Sequence, residues 1–136
     1  MSEYYIAIDC NQTGKKLEKL IFAKDLTKLK DFSQNMTAAI NKLSDKIQTL
    51  GGEIIISAGD NILGLIDTEH IKSIVKQTNS ITVDGNTFSI GMSSDIVGAY
   101  LALKYAKSSG NNSAMIYEDG EFSMYSPTHF SEQLTE

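Results

Sequence analysis

The sequence predicts an α+β fold, in which an antiparallel sheet carries its helices on one face. Three observations predict it. Short apolar, β-prone runs alternate along the chain with helical patterns. Their order is strand, two helices, two strands, helix and strand, followed by a further helix and a hairpin. The chain has 136 residues, of which 41% are hydrophobic, enough to bury one core, so we expect a single domain over residues 1–136.

The first strand and the first two helices are predicted within residues 4–50. Residues 4–8 form a short apolar run typical of a buried strand, and Lys15 begins a first helix after a loop. Apolar residues then recur every three or four positions, which indicates a long amphipathic helix. They are Leu26, Leu29, Phe32, Met36, Ala39, Ile40, Leu43, Ile47 and Leu50. Gly51 stands where this helix should stop.

Two strands joined by a tight turn are predicted next. Residues 53–57 and 61–66 are apolar and β-prone, and Ala58-Gly59-Asp60 between them has the composition of a turn. Thr68 can cap the helix that follows, whose apolar face comprises Ile71, Ile74 and Val75.

The last part of the chain is predicted to hold two hairpins with a helix between them. The Asp84-Gly85 pair is a strong turn signal within residues 81–92. The elements after it are a helix that stops at about Ser109, before Gly110, a second hairpin over 113–125 and a flexible tail over 127–136.

The order of these elements is that of a ferredoxin-like fold. In that arrangement the first strand runs parallel to the second, through a right-handed helical crossover. The turn between the second and third strands then lies at the end of the sheet where the first strand finishes. Asp9 and Asp60, which are distant in sequence, are therefore expected to lie side by side.

Two carboxylates at one end of a sheet suit a site for a divalent cation. Mg²⁺ prefers oxygen ligands and uses one or two carboxylates together with phosphate oxygens of the substrate. Asp9 and Asp60 can supply the carboxylates, and the backbone carbonyl of Cys10 can supply a further oxygen. Two such ions can support phosphoryl transfer. The sequence thus predicts an enzyme that uses Mg²⁺ or Mn²⁺.

The segment between the first strand and the first helix is a candidate phosphate site. Unpaired N–H groups at the start of a helix attract anions, and Gln12, Thr13 and Gly14 provide them here. Lys15 or Lys16 would add positive charge. Gly59 would let a nucleotide approach the turn without meeting a Cβ atom.

The composition excludes several classes of function. A formal net charge of −5 argues against non-specific binding of long nucleic acid, which requires a basic face. All 12 cationic residues are lysines, so the chain offers no arginine finger. Cys10 is the single cysteine, which excludes an internal disulfide. The sequence shows neither a membrane-length apolar run nor a signal-peptide pattern, and we expect a cytoplasmic protein.

Three segments in order resemble the palm domain of cyclase-type polymerases. They are Ile6–Asp9, Ala58–Asn61, and Phe88–Met92 followed by Ala102–Asn111. That superfamily includes diguanylate cyclase domains and the polymerase-like large subunit of type III CRISPR complexes. In size and spacing the chain most resembles the stand-alone minimal CRISPR polymerase, and the resemblance covers residues 4–125.

The resemblance implies a ferredoxin-like palm that makes cyclic oligonucleotides, above all cyclic dinucleotides such as c-di-AMP, from nucleoside triphosphates, with ATP favoured. It also implies a role in anti-phage signalling, with a separate effector that senses the cyclic nucleotide. By position, Asp9 and Asp60 would be the catalytic acids, and Lys107 would contact the triphosphate, with Lys104 as the alternative. Expected nucleotide contacts in the loop and the turn are Asn11, Gln12, Thr13, Gly14, Lys15, Ser57, Ala58, Gly59 and Asn61.

A palm this small holds one nucleotide well, whereas the implied reaction joins two. We therefore expect a homo-oligomer, at least a dimer, with nucleotides at its interface. The chain also departs from the family pattern. The turn is commonly Gly-Gly-Asp-Asp, but Ala58 and Asn61 stand here, and many members carry a further acid where Cys10 and Asn11 stand. The alternative is a catalytically degenerate palm that binds nucleotides as a regulatory module.

Each of these residues also has a plainer interpretation. Asp60 suits an ordinary hairpin turn, and Asp9 could cap the helix after it. Lys15 could be a solvated charge, and Lys107 could simply stabilise the C-terminal end of its helix. A third hypothesis is thus an α+β interaction domain whose aspartates are loop residues. The joint placement of the two aspartates favours the enzyme.

Overall fold

Six strands form one sheet with four helices packed against it. The computed structural model describes residues 2–109 and 114–130, and within them the predicted α+β fold is confirmed. In chain order the elements are β1 (Glu3–Cys10), α1 (Thr13–Phe22), α2 (Leu26–Thr49), β2 (Glu53–Ala58), β3 (Asn61–Asp67), α3 (Ile71–Asn79), β4 (Phe88–Ser93), α4 (Ile96–Ser109), β5 (Ala114–Glu118) and β6 (Glu121–Met124). A single 3₁₀ turn, Thr68–His70, leads into α3.

β1 lies in the middle of the sheet, whose strand order is β2-β3-β1-β4-β5-β6. It pairs antiparallel with both β3 and β4, and β2 pairs antiparallel with β3. β1 and β2 therefore run parallel on either side of β3, as the ferredoxin-like prediction requires. It follows that the β2–β3 turn lies at the end of the sheet where β1 finishes.

Two details of the predicted architecture are wrong. β5 pairs with β4 in the parallel direction, so the sheet is mixed rather than antiparallel. The reason is α4, which connects these two strands as a helical crossover and returns the chain to the same end of the sheet. The helices also do not share one face, because α1, α2 and α3 cover one side while α4 covers the other.

Alternating side chains in β1 and β4 separate the two faces of the sheet. Ile6, Ile8 and Ile90 belong to the main core, which the sheet forms with α1, α2 and α3. Ala7 and Gly91 lie on the opposite face, where the small side chain of Ala7 and the missing side chain of Gly91 let the backbone of α4 come close to the sheet. A second, smaller apolar cluster on that side consists of Ala102, Ala106 and Met115.

α2 begins and ends where the sequence predicts. The side chain of Asp25 accepts a hydrogen bond from the N–H of Lys28 at 3.1 Å, which caps the start of the helix. Gly51 follows the last turn with a φ of 86°, a left-handed conformation that glycine adopts without strain. The inner face of α2 places Phe32 and Leu43 in the main core.

The first of the two predicted hairpins is smaller than expected. Around the Asp84-Gly85 turn, only Val83 and Asn86 pair, as an isolated bridge. β4 begins after it, at Phe88. The Asp-Gly turn signal was therefore correct, whereas the strand before it does not form.

The first part of the predicted flexible tail packs on the core. Phe130 is buried, and its ring lies edge-on to that of Tyr4, with ring centroids 5.2 Å apart. The rest of that tail, 131–136, and the predicted helix stop at Gly110 lie outside the described residues. None of the helices in the described part of the chain is long and apolar enough to cross a membrane.

Gly91 makes the close approach of α4 possible, and its replacement is the first testable prediction. A Cβ atom at this position would overlap the backbone nitrogen of Leu103 and the carbonyl oxygen of Ala99. We expect Gly91→Ala to lower the free energy of unfolding by about 1–3 kcal/mol or more, as overpacked cores do. Urea denaturation followed by circular dichroism measures this change.

The matched control is Gly14→Ala, because a Cβ atom at Gly14 meets nothing within 4 Å. Gly14 lies in the first turn of α1, so alanine there should leave stability unchanged or raise it slightly. Equal stability of the Gly91→Ala variant and the wild type would show that α4 does not depend on this contact.

Candidate active site

The two aspartates meet at one end of the sheet. Asp9 is the penultimate residue of β1 and pairs with Asn61, the first residue of β3. Asp60 precedes it in the turn, and its carbonyl accepts a hydrogen bond from the N–H of Cys10 at 3.0 Å. The carboxyl group of Asp60 is close enough to raise the pKa of Asp9. The strand pairing thus produces the juxtaposition that the sequence predicts.

The surroundings of Asp9 disfavour the negative charge of its carboxyl group. Burial is the main cause that raises its pKa above the usual value for aspartate, followed by the charge of Asp60. Lys107 opposes both, since its Nζ lies 3.1 Å from Asp9 Oδ2. The other oxygen, Asp9 Oδ1, is buried and accepts no hydrogen bond from any described residue. Such an oxygen is suited to bind a cation.

Lys107 connects α4 to the end of β1. Besides its ion pair with Asp9, its Nζ donates a hydrogen bond to the backbone carbonyl of Cys10 at 3.2 Å. Thr13 Oγ1 donates to the same carbonyl at 3.4 Å. The carbonyl of Cys10 therefore faces the site. Its thiol is buried in the main core, where burial raises the pKa, so the sulfur is unsuited to act as a nucleophile.

An open cavity of about 390 Å³ adjoins the acids. α1 starts at its edge, after Gln12, whose backbone is left-handed with a φ of 65°. The first N–H groups of a helix have no partner within the helix, so this edge can bind an anion. The residues that line the cavity are Cys10, Asn11, Gln12, Thr13, Gly14, Lys15, Asp60 and Lys107.

Asn11 lines the cavity, but its side chain forms hydrogen bonds within the protein. Its side chain is 7% exposed and lies in a network of hydrogen bonds with β4 and the loop before it. Its Nδ2 donates to Thr87 Oγ1 at 3.0 Å, and its Oδ1 accepts from Ser89 Oγ at 2.7 Å. The side chain thus holds the loop in place. Sequence reasoning missed Thr87 and Ser89, although a serine in the apolar run 88–92 was a signal.

The predicted contact residues in and around the β2–β3 turn are exposed, but the hydroxyl of one of them is bonded to α2. Gly59, with a φ of 57°, and its neighbours Ala58 and Asn61 are exposed next to the acids. The hydroxyl of Ser57 instead forms a hydrogen bond with Ser44 of α2 at 3.1 Å. Ser57 therefore supports the packing of β2 on α2 rather than the cavity.

The two lysines of α4 have different surroundings. Lys107 contacts Asp9 and Cys10, whereas Lys104 Nζ lies 5.3 Å above the centre of the Tyr100 ring. Of the two alternatives, the fold brings Lys107 to the acids.

A second cavity, of about 410 Å³, lies on the α4 side of the sheet and was not identified from the sequence. Asp9 and Asn61 mark its polar end, and the rest is almost entirely apolar. The other lining residues are Ala7, Ile8, Ile56, Ile62, Leu63, Ile96, Tyr100 and Leu103. A polar and an apolar cavity thus flank the acid pair.

The residues present fit a Mg²⁺ or Mn²⁺ ion that also binds its substrate. Within residues 2–109 and 114–130, no group of three or more His, Cys, Asp or Glu side chains could hold a metal ion alone. Mg²⁺ commonly needs fewer, since phosphate oxygens and water complete its coordination. The free oxygen of Asp9, the carboxylate of Asp60 and the carbonyl of Cys10 meet that need.

Comparisons with solved structures show that the fold is that of nucleotide cyclase domains. A diguanylate cyclase/phosphodiesterase from Caldicellulosiruptor saccharolyticus is 23% identical, with a TM-score of 0.62 over 90% of this chain and 80% of that one. The guanylyl cyclase domain of the RhoGC fusion protein from the aquatic fungus Blastocladiella emersonii is 15% identical, with a TM-score of 0.59 over 96% and 85%.

The guanylate cyclase domain of RhGC from Catenaria anguillulae, in complex with GTP, is 13% identical, with a TM-score of 0.55 over 84% of this chain and 76% of that one. No curated protein sequence matches the chain. The family model for the minimal CRISPR polymerase domain matches residues 5–117, which is most of the chain and contains both aspartates and Lys107. The chain therefore belongs to the minimal CRISPR polymerase domain family.

Proposed function

We propose that this protein is a cytoplasmic nucleotidyltransferase that makes cyclic oligonucleotides, in the first place cyclic dinucleotides of the c-di-AMP type, from nucleoside triphosphates such as ATP. The observation that carries the proposal is the pair formed by Asp9 and Asp60, which lies beside a cavity at whose edge α1 begins. Membership of the family supports an anti-phage signalling role, with a separate effector that senses the product.

The polar cavity would bind the triphosphate. The N–H groups at the start of α1 and the ammonium groups of Lys15 and Lys107 face its negative charge. Asp9, Asp60 and the carbonyl of Cys10 would hold Mg²⁺ or Mn²⁺. When bound, the metal would supply positive charge that polarises the phosphate oxygens and lowers the pKa of the attacking hydroxyl.

The reaction joins two nucleotides in an in-line displacement. A ribose hydroxyl oxygen of one nucleotide forms a bond to the α-phosphorus of the other, while the bond from that phosphorus to the oxygen of the leaving pyrophosphate breaks. The hydroxyl proton passes to solvent. Lys107 and the start of α1 stabilise the charge that develops on pyrophosphate. A second displacement of the same kind closes the ring.

The apolar cavity supports a nucleoside as the ligand. It starts at Asp9 and Asn61, so a nucleotide whose phosphate lies near the acids could place its base there. Tyr100 at its rim is exposed and offers a ring on which a base can stack. The amide of Asn61 can form hydrogen bonds with ribose or water.

Exposed apolar residues on α4 support a homodimer. A helix that is apolar on both sides is usually covered on both sides. In α4, only the inner side packs on the sheet. A second copy of the chain is the occupant that the reaction favours, because the dimer would bring two nucleotides together. The exposed residues are Ile96, Val97, Tyr100, Leu101 and Tyr105.

One observation favours the alternative of a regulatory nucleotide-binding module. The turn provides Asn61 where the family commonly has a second acid, so fewer carboxylates are available for metal. The same cavities would then bind a nucleotide without turnover.

Replacing Asp60 tests the enzyme against this alternative. Asp60→Asn keeps the size of the side chain but removes the charge. We expect synthesis from labelled ATP with Mn²⁺ to fall at least about 100-fold, since losing an outer-shell partner alone costs 10–100-fold. Asp119→Asn, in the exposed β5–β6 turn, is the control and should keep full activity.

Unchanged synthesis by Asp60→Asn would exclude the proposed site. Metal-dependent binding of ATP by the wild type without any product would instead support the regulatory module.

Replacing Asp9 tests the cost of its buried charge. Because the pKa of Asp9 is raised, the folded state binds its proton more tightly than the unfolded state. The ionised form therefore lowers stability at neutral pH; this cost decreases as the pH falls below the raised pKa and is gone below the ordinary pKa of aspartate. We expect Asp9→Asn to be inactive but at least as stable as the wild type at neutral pH, with the difference shrinking in acid.

Urea denaturation at several pH values measures the stability of Asp9→Asn, with Asp119→Asn as the control. A clear loss of stability at neutral pH would mean that the ion pair with Lys107 outweighs the burial of the charge.

A charged residue on the exposed side of α4 tests the proposed dimer interface. Val97 is 59% exposed, so Val97→Lys should fold normally but break the dimer. We expect a monomer in analytical ultracentrifugation and synthesis reduced at least about tenfold, the effect of losing roughly 1.4 kcal/mol of interface energy. Phe22→Lys is the control, because Phe22 is 78% exposed at the end of α1. An active Val97→Lys monomer would contradict the interface.

A further inference from the structure

We propose that Lys107 is a built-in counterion of the acid pair, which keeps divalent metal out of the empty site until a triphosphate draws its ammonium group away. The inference rests on the proposed function, since it concerns the same metal site. It adds an order to binding: metal enters with or after the nucleotide, and the two bind cooperatively through one side chain.

The position of the ammonium group carries the inference. Lys107 Nζ lies 3.1 Å from Asp9 Oδ2 and 3.2 Å from the carbonyl oxygen of Cys10. These atoms belong to two of the three groups that would hold the metal. The ammonium thus contacts two of the oxygen-bearing groups that would hold a divalent cation.

The ammonium and the metal exclude each other. A divalent cation held by the Asp9 carboxylate, including its free Oδ1, and by the carbonyl of Cys10 would lie within a few ångströms of the ammonium, in a partly buried site where such repulsion is weakly screened. One of the two must leave. A metal must also lose hydration water when it binds. As long as no phosphate is present, we therefore expect the ammonium rather than the metal to occupy these oxygens.

A triphosphate in the cavity reverses this preference. Lys107 lines the same cavity as the start of α1, and its side chain is 36% exposed, so the ammonium can turn to a phosphate without a shift of α4. The phosphate offers several charged oxygens in place of one carboxylate and one carbonyl. With the ammonium on the phosphate, Asp9 Oδ2 and the carbonyl of Cys10 would be free to hold the metal together with phosphate oxygens.

The test measures the affinity of the protein for Mn²⁺ alone, by electron paramagnetic resonance of the free ion. We expect Lys107→Met to bind Mn²⁺ at least about tenfold more tightly than the wild type, because a neighbouring cation changes the proton affinity of a carboxylate by one to three orders of magnitude. A wild-type affinity that is equal to or higher than that of Lys107→Met would overturn the inference.

Two controls separate this effect from a general loss of positive charge. Lys104→Met removes a charge one turn earlier in α4, and Lys76→Met removes an exposed one at the end of α3. Both should keep the Mn²⁺ affinity of the wild type. A tenfold gain in either would mean that net charge, and not the contact with Asp9, sets the affinity.

Two further variants keep the outcome independent of folding and of catalysis. Lys107→Gln should reproduce the gain, and a melting curve checks that each variant is folded. Adding Asp60→Asn to Lys107→Met should abolish the tight Mn²⁺ site; tight binding that persists would place the ion elsewhere and overturn the inference. Product assays distinguish this inference from the proposed function. If synthesis depends on Asp60 but Lys107→Met does not bind Mn²⁺ more tightly, only the inference is wrong. If Lys107→Met binds Mn²⁺ more tightly but the wild type makes no product, only the proposed function is wrong.

Discussion

The pairing of β1 with β3 is the constraint on which the rest of the structure depends. Its register places Asp9 opposite Asn61, and the N–H of Cys10 reaches across to the carbonyl of Asp60. A shift of one residue would send Asp9 to the other face of the sheet, into the main core. The apolar side chains of β1 that belong to that core, such as Ile6 and Ile8, prevent such a shift. Packing thus fixes the geometry of the acids.

The same pairing explains why the site is electrostatically unbalanced. Burial is the main cause that raises the pKa of Asp9, and the pairing adds the charge of Asp60 at the same end of the sheet. The protein balances this charge partly with Lys107 and leaves Asp9 Oδ1 without a hydrogen bond from the described residues. The result is a buried oxygen without a partner, a feature that is more common at functional sites than elsewhere. A purely structural aspartate pair would have little reason to keep that oxygen unsatisfied.

Sequence periodicity predicted most of the fold, and topology predicted the meeting of the acids, because both follow from local patterns and a known strand order. The side of the sheet that α4 covers could not be predicted, since the helix is apolar on both sides. The contact that seats α4, Gly91 against Leu103, joins residues that are distant in sequence. The partners of Asn11 in β4 were hidden for the same reason. For the lysines, the resemblance already put Lys107 before Lys104, and the ion pair with Asp9 agrees with that order.

The close contact between α4 and Gly91 also determines how fast Lys107 can change its partners. Because backbone meets backbone there, the helix cannot slide or rotate without large rearrangement. Any exchange of partners by Lys107 must therefore occur through rotation about its own side-chain bonds. Such rotations take picoseconds to nanoseconds at a partly exposed position, far less than the milliseconds of a typical turnover. The rearrangement of this charge would then never limit the speed of synthesis, which would be set by chemistry or by release of the products.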